Sequence, residues 1–267
     1  MSRNITYRTK NDLPQWDYWL ARFYHENRKD IYPNEISYWK SICKDKKNVL
    51  EIGAGNGFIS KNLLDVGVKT LTLVEPEYEN LVFLNLNLDK QKQSSFSSTN
   101  IEIFASPYQM YDQDNSQDVI FTSWDNLAMF SSFDERLELF QLVAKHLKSK
   151  TSIFCFHLSS EKFNYKDYLN NIHPKKFTMH LEDDQYLDCI WSIEKNSEFY
   201  YSKKLSIKPP GETQSLSYTL PTWTVLPQEI HKLADLSGLK VLNVFNDFDG
   251  GITDDPDDYI WILGQKY

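Results

Sequence analysis

Val49-Leu-Glu-Ile-Gly-Ala-Gly-Asn-Gly-Phe-Ile-Ser60 is an apolar run that stops at three alternate glycines and resumes in a helix-like pattern. A buried parallel strand ending in such a turn lets backbone N–H groups and a helix N-terminus approach a ligand without interference from Cβ atoms. The stretch therefore predicts a strand, a glycine turn and a helix at a site for a nucleotide-like cofactor.

The same rhythm continues outward. Strands are predicted at Asn48 to Ile52, Thr70 to Val74, Ile101 to Phe104, Asp118 to Thr122 and Thr151 to His157. Helices are predicted at about Phe58 to Val66, Glu79 to Leu88 and Phe133 to Leu147, with a polar loop from Lys90 to Asn100. Strand and helix alternating at this spacing predict an α/β fold with a doubly wound, mostly parallel sheet. Leu226-Pro-Gln-Glu229 opens a further helix that ends at Ser237-Gly238, and Leu239 to Phe245 and Tyr259 to Leu263 bring the sheet to seven strands.

Two segments break the rhythm. Trp16, Trp19, Leu20 and Phe23, then Ile36, Trp39, Ile42 and Cys43, recur at helical spacing and predict two helices joined around Ile31-Tyr-Pro-Asn34, with Asn34 capping the second. Between about Leu181 and Leu220 apolar and polar residues alternate, which predicts a small antiparallel insertion. The expected division is an N-terminal helical lid at 1–47, a core at 48–180, the inserted sheet at 181–224 and a closing helix and strands at 225–267.

The chain has 267 residues, enough for one large α/β domain or a domain carrying an insertion. Its net charge of −8 repels polyanions and argues against a nucleic-acid partner. Cys43, Cys155 and Cys189 are far apart and odd in number, so neither a disulfide framework nor a zinc site is expected. Asp247-Phe-Asp-Gly-Gly-Ile-Thr-Asp-Asp255 lacks the spacing and closing Glu of a calcium loop, so it is expected to be an exposed turn, and no metal is expected. No run approaches the roughly 18 apolar residues of a membrane span, which predicts a cytoplasmic protein with no membrane partner. A homodimer is left open.

Gly53-Ala-Gly-Asn-Gly57 is followed by Phe58, so it lacks the G-x-G-x-x-G spacing of a pyrophosphate-binding turn. Glu75 ends the second strand, where a carboxylate can accept from a ribose diol. Glu51 lies inside the first strand, where an unpaired carboxylate would be costly. A cofactor with a ribose, an adenine, an amino-acid tail and no phosphate fits these demands better than NAD. Glu51, Gly53, Gly55 and Gly57, followed by Glu75 and Pro76, closely resemble the first motifs of the class I S-adenosylmethionine-dependent methyltransferase superfamily.

The resemblance implies the Rossmann-like methyltransferase fold, S-adenosylmethionine as cofactor and S-adenosylhomocysteine as product. It implies that Glu51 orients the backbone near the methionine amino group, that Gly53, Ala54, Gly55 and Gly57 admit the cofactor's tail, and that Glu75 and Pro76 adjoin the ribose. Ser106 stands where the family commonly has an acid against adenine, so Ser106 and Pro107 are the cofactor candidates there, with Tyr108 or a backbone carbonyl as the alternative adenine contact. Ser123 would lie beside the reactive methyl, with Trp124 close by.

The strand-four end, Thr122-Ser-Trp-Asp-Asn126, lacks the Asn/Asp-Pro-Pro-Tyr signature of enzymes that methylate nucleic-acid bases or glutamine side chains. That points to a small-molecule acceptor. Arg22 to Tyr32 is similar to the lid of nucleotide-sugar and glycine-type N-methyltransferases, and the insertion resembles their substrate-covering sheet. By this resemblance Tyr24, and with it Tyr32, reaches the methyl-transfer site, so Tyr24 is both a cofactor and a catalytic candidate. His157, at the end of strand five, is the second catalytic candidate. N-methylation by direct displacement is the expected reaction. O-methylation, binding without turnover and an NAD-dependent oxidoreductase are the alternatives.

Overall fold

The computed structural model describes residues 18–27, 34–94, 98–112, 116–254 and 256–266. Trp16 and the Ile31-Tyr32-Pro33 joint lie outside them. Strands β1 (Asn48–Ile52), β2 (Thr70–Val74), β3 (Asn100–Phe104), β4 (Val119–Thr122), β5 (Ile153–Ser159), β10 (Leu239–Phe245) and β11 (Asp258–Gln265) form one sheet in the order β10-β11-β5-β4-β1-β2-β3. The pairings from β3 to β5 are parallel, whereas β11 runs antiparallel to both β5 and β10. The expected seven-stranded, mostly parallel, doubly wound architecture is present.

Alternate residues of the central strands feed two cores. Leu50, Ile52, Ile120, Phe154 and Phe156 pack with Leu139, Phe140 and Val143 of α4 (Phe133–His146) and with Ile230 and Leu233 of α6 (Pro227–Leu236). Val49, Phe121 and Cys155 face the other way, onto Trp39 of α2 (Glu35–Cys43) and Leu81 and Leu84 of α3 (Tyr78–Ser94). Strands buried on both faces read as continuous apolar runs, which is why the sequence gives their bounds so closely. α4 opens with a capping box between Ser132 and Glu135, and Gly238 closes α6 at φ 76°.

The insertion is a four-stranded antiparallel meander of β6 (Lys175–His180), β7 (Tyr186–Lys195), β8 (Tyr200–Lys208) and β9 (Leu216–Trp223), preceded by α5 (Glu161–Asn171). It begins earlier than 181, because β6 is an edge strand with mostly exposed side chains and carries little apolar alternation. Its inner face, with Leu187, Cys189, Leu205 and Ile207, covers Leu20 and Phe23 of α1 (Tyr18–Asn27). Among the described residues no helix is long and apolar enough to cross a membrane.

Four other expectations are corrected. The helix expected from Phe58 to Val66 is one tight turn, Ser60–Leu63, confined between left-handed Gly57 (φ 76°) and Gly67 (φ 84°). α3 runs on through Ser94 into the segment expected to be a loop, with Asp89 and Lys90 exposed and Lys and Gln good helix formers. Asn34 does not cap α2; its side-chain amide donates to Asp249 Oδ2 at 2.7 Å. The loop after Phe245 is not merely an exposed turn, because Phe248 is buried against Trp39, Tyr38 and His157.

Candidate functional site

The carboxyl ends of β1, β2 and β4 bring most of the sequence candidates together. The glycine turn carries on where β1 pairs with β2: the Gly53 and Ala54 amides donate to the Val74 carbonyl at 2.8 and 3.1 Å. Gly53 (φ 68°), Gly55 (φ 55°) and Gly57 (φ 76°) are all left-handed, yet they serve different ends. A Cβ on Gly53 would lie 2.5 Å from Asn126 Nδ2, and one on Gly57 would lie 2.5 Å from Leu84 Cδ1 of α3. One on Gly55 would meet nothing within 4 Å. Gly53 and Gly57 thus admit protein, and Gly55 borders open space.

Glu75 spans from the end of β2 to this turn. Its Oε2 accepts from the Gly55 amide at 2.7 Å, and its Oε1 accepts from the Glu77 amide at 3.0 Å and from Asn80 Nδ2 at 3.2 Å. Burial pushes its pKa up, the hydrogen bonds oppose that, and the balance lies at about 7. Glu51, buried on the same face of β1 as Val49, accepts from the Ser60 hydroxyl, which ties the tight turn after the glycines to β1. Pro76 follows Glu75. Ala105, Ser106 and Pro107 follow β3, whose last carbonyl, Phe104, accepts from the Glu75 amide at 3.1 Å. The Tyr108 side chain points into the core, where its hydroxyl meets His146 Nδ1 at 2.7 Å.

At the end of β4, Ser123 is buried, and the Trp124 ring meets Tyr24 of α1 edge to face, with centroids 5.4 Å apart. Burial raises the Tyr24 pKa, so its phenol stays protonated. The lid residue and the strand-four residue that the sequence placed at one site are therefore in contact. α1 is held from above by Phe23, which stacks on Trp191 of β7, and by Arg22, whose guanidinium donates to Asp183 Oδ1 at 2.7 Å. From below, Asn87 of α3 donates to the Asn56 carbonyl at 2.7 Å and lies 3.4 Å from His25 Nδ1, joining the lid to the glycine turn. Possible ligand atoms of His25, Glu26 and Glu182 lie within 4.8 Å of one another, with the Arg22 guanidinium 4.0 Å from Glu26 supplying positive charge there.

His157 lies behind this corner, linked to Asp125 through Asp258 and Ser159. Its side chain is fully buried, roofed by Phe248 and bonded through Nε2 to Asp258 Oδ1 at 2.9 Å. Burial lowers its pKa, but the bond to Asp258 and the charges of Asp125, Asp258 and Glu35 outweigh this and raise it on balance. Such a group suits a structural ion pair.

Two residues of the corner escaped the sequence reading. Asn126 Nδ2 donates to Thr122 Oγ1 at 2.8 Å and sits over Gly53, and Asp125 accepts from the Ser159 amide and hydroxyl at 2.5 and 2.6 Å. The only signal was an Asp-Asn pair two residues beyond a buried strand, a composition typical of many turns.

No protein-family model matches the chain, and no curated protein matches it in sequence. Solved structures do match its fold. An S-adenosylmethionine-dependent methyltransferase from Clostridium acetobutylicum ATCC 824 superposes with a TM-score of 0.74 at 15% identity, covering 93% of this chain and 98% of that one. The CcbJ methyltransferase from Streptomyces caelestis gives 0.70 at 15% identity, over 94% and 100% of the two chains. The sugar N-methyltransferase KedS8 from Streptoalloteichus sp ATCC 53650 gives 0.69 at 11% identity, over 100% and 99%. These likenesses span the lid and the insertion as well as the sheet, and the chain has the fold of the class I S-adenosylmethionine-dependent methyltransferases.

Proposed function

We propose that the protein is an S-adenosylmethionine-dependent methyltransferase acting on a small-molecule acceptor, with an amine as the methylated group. The observation that carries this reading is the Gly55–Glu75 pair: a glycine bordering open space, with its amide held by a carboxylate on the neighbouring strand end. A carboxylate offers about four lone-pair positions. Three are taken here, which leaves Oε2 able to receive a ribose hydroxyl while it keeps the Gly55 amide. This acceptor fits a ribose-bearing cofactor.

Bound S-adenosylmethionine supplies an activated methyl on a good leaving group. The chain's own residues then position the acceptor and keep water out. The aromatic contact of Tyr24 with Trp124, under the inserted sheet, serves that purpose. An oxygen acceptor needs a general base at the reacting atom, whereas an amine needs only an outlet for the released proton. The Tyr24 phenol, kept protonated by burial, is a poor base but can accept a hydrogen bond from an amine N–H. This favours nitrogen over oxygen, and the sugar N-methyltransferase neighbour supports the same choice. A net charge of −8 supports a small molecule over nucleic acid.

The test is a thermal shift with S-adenosylhomocysteine. The expected result is a raised Tm in the natural protein, lost in Glu75→Ala and Gly55→Val. No shift at millimolar ligand, or a shift with NAD instead, would overturn the reading.

A further inference from the structure

Trp124 and Asp125, both at φ 55°, are consecutive left-handed residues without glycine's freedom, at the carboxyl end of β4. The other described non-glycine residues with positive φ, Asp45 and Asp184, are single and exposed. Left-handed backbone costs free energy for any residue with a Cβ, and two in a row persist only where the surroundings enforce them.

The enforcing contacts are on Asp125. One carboxylate oxygen receives the Ser159 amide at 2.5 Å and the other its hydroxyl at 2.6 Å. Ser159 ends β5, a strand paired on both sides, and its hydroxyl also lies 3.3 Å from the Asp258 carboxylate that holds His157 at 2.9 Å. The corner is thereby fastened to the end of β5, where Ser159 pairs with Asp258 of β11. Its outward product is the Trp124 indole, standing against Tyr24 of the lid at 5.4 Å and 76°.

We propose that Asp125 is a positioning residue: clamped to Ser159, it holds Trp124 left-handed so that the indole forms the seat on which the lid helix docks through Tyr24. The proposal rests on the functional reading above for its catalytic meaning, since it makes the seat part of the methyl-transfer corner. The seat itself is a property of the folded chain and is testable without an acceptor.

The experiment reads Trp124 alone, as the difference in tryptophan emission and acrylamide quenching between each protein and the same protein carrying Trp124→Phe. Lid docking is read by the rate of trypsin cleavage at Arg22, buried when α1 is docked. Asp125→Gly removes the clamp but adopts φ 55° freely, so the fold should survive. It is expected to show several-fold stronger Trp124 quenching and several-fold faster cleavage at Arg22. Asp125→Asn tolerates left-handed backbone and can bond both Ser159 groups, because the hydroxyl rotates. It is expected to retain the natural signal.

An Asp125→Gly protein with the natural Trp124 signal and lid protection would overturn the proposal. So would an Asp125→Asn protein that behaves like the glycine variant, because the carboxylate would then act through its charge and not as a clamp. Failure of S-adenosylhomocysteine to stabilise the natural protein would sink the functional reading alone and leave these outcomes to judge the seat.

Discussion

Glu75 Oε2 lies 2.7 Å from the Gly55 amide nitrogen, so one carboxylate joins the end of β2 to the apex of the turn after β1. The same group has a pKa near 7 because burial outweighs its three hydrogen-bond donors. A ribose diol donates to an ionised carboxylate. S-adenosylhomocysteine affinity is therefore expected to rise between pH 6 and 8 and then level off, and Glu75→Gln is expected to bind weakly with no such slope. Calorimetric titration at several pH values measures this. Stability runs the other way: the folded state keeps the Glu75 proton above the usual carboxylate range, so this group's contribution falls as pH rises towards 7.

The three glycines are expected to separate stability from binding. Gly57→Ala must displace Leu84, a fully buried side chain, and so should cost about 2 kcal/mol from overpacking and left-handed strain together. Gly53→Ala must drive Asn126 off Thr122 and should cost about as much. Gly55→Ala meets open space, so only strain of about 1 kcal/mol applies, and its main loss should be ligand affinity. Chemical denaturation paired with ligand titration separates the two effects.

His157 gives a second pH dependence. Its folded pKa is raised, so its ion pair with Asp258 stabilises the fold fully below its ordinary pKa, and that contribution disappears as pH climbs through the raised value. The Tm gap between the natural protein and His157→Gln should be widest in mild acid and should narrow in alkali. A gap that widened with pH would mean that the neutral imidazole is the stabilising form.

Phe23 is almost wholly buried between α1 and the inserted sheet. Phe23→Ala should remove about 3 kcal/mol of packing. Because that packing belongs to the lid, the expected loss is local: cleavage at Arg22 accelerates far more than the main Tm falls. Equal loss in both would mean that lid and core unfold as one unit.

The central strands were legible because each is a short apolar run bounded by turn residues. β1 and β2 have the predicted ends, Asn48–Ile52 and Thr70–Val74. Glu51 and Glu75 stood out because a carboxylate inside or at the end of such a run demands a reason. α5 and β6 were not read, since Glu161–Asn171 and Lys175–His180 turn few side chains inward and leave only a faint period. Neither Asp125 nor Ser159 could be singled out, because their meaning is a bond across 34 positions that only the adjacency of β4 and β5 creates. His157 illustrates the converse: a strand end was foreseeable, but Phe248 folding over it was not.

β11 pairs with β5, although α5, the inserted sheet, α6 and β10 all intervene along the chain. Seen from the sheet, everything from Ser160 to Gly238 is one long excursion that leaves at the end of β5 and returns to the same layer at β10. The entropy of closing such an excursion grows only with the logarithm of its length, about 0.6 kcal/mol per doubling. The roof can therefore be lengthened, shortened or exchanged with little penalty to the layer beneath, provided the new one still receives Leu20, Arg22 and Phe23. Under the proposed function, in which this roof covers the acceptor, acceptor choice would be a transplantable trait, changed without redesigning the strand ends beneath.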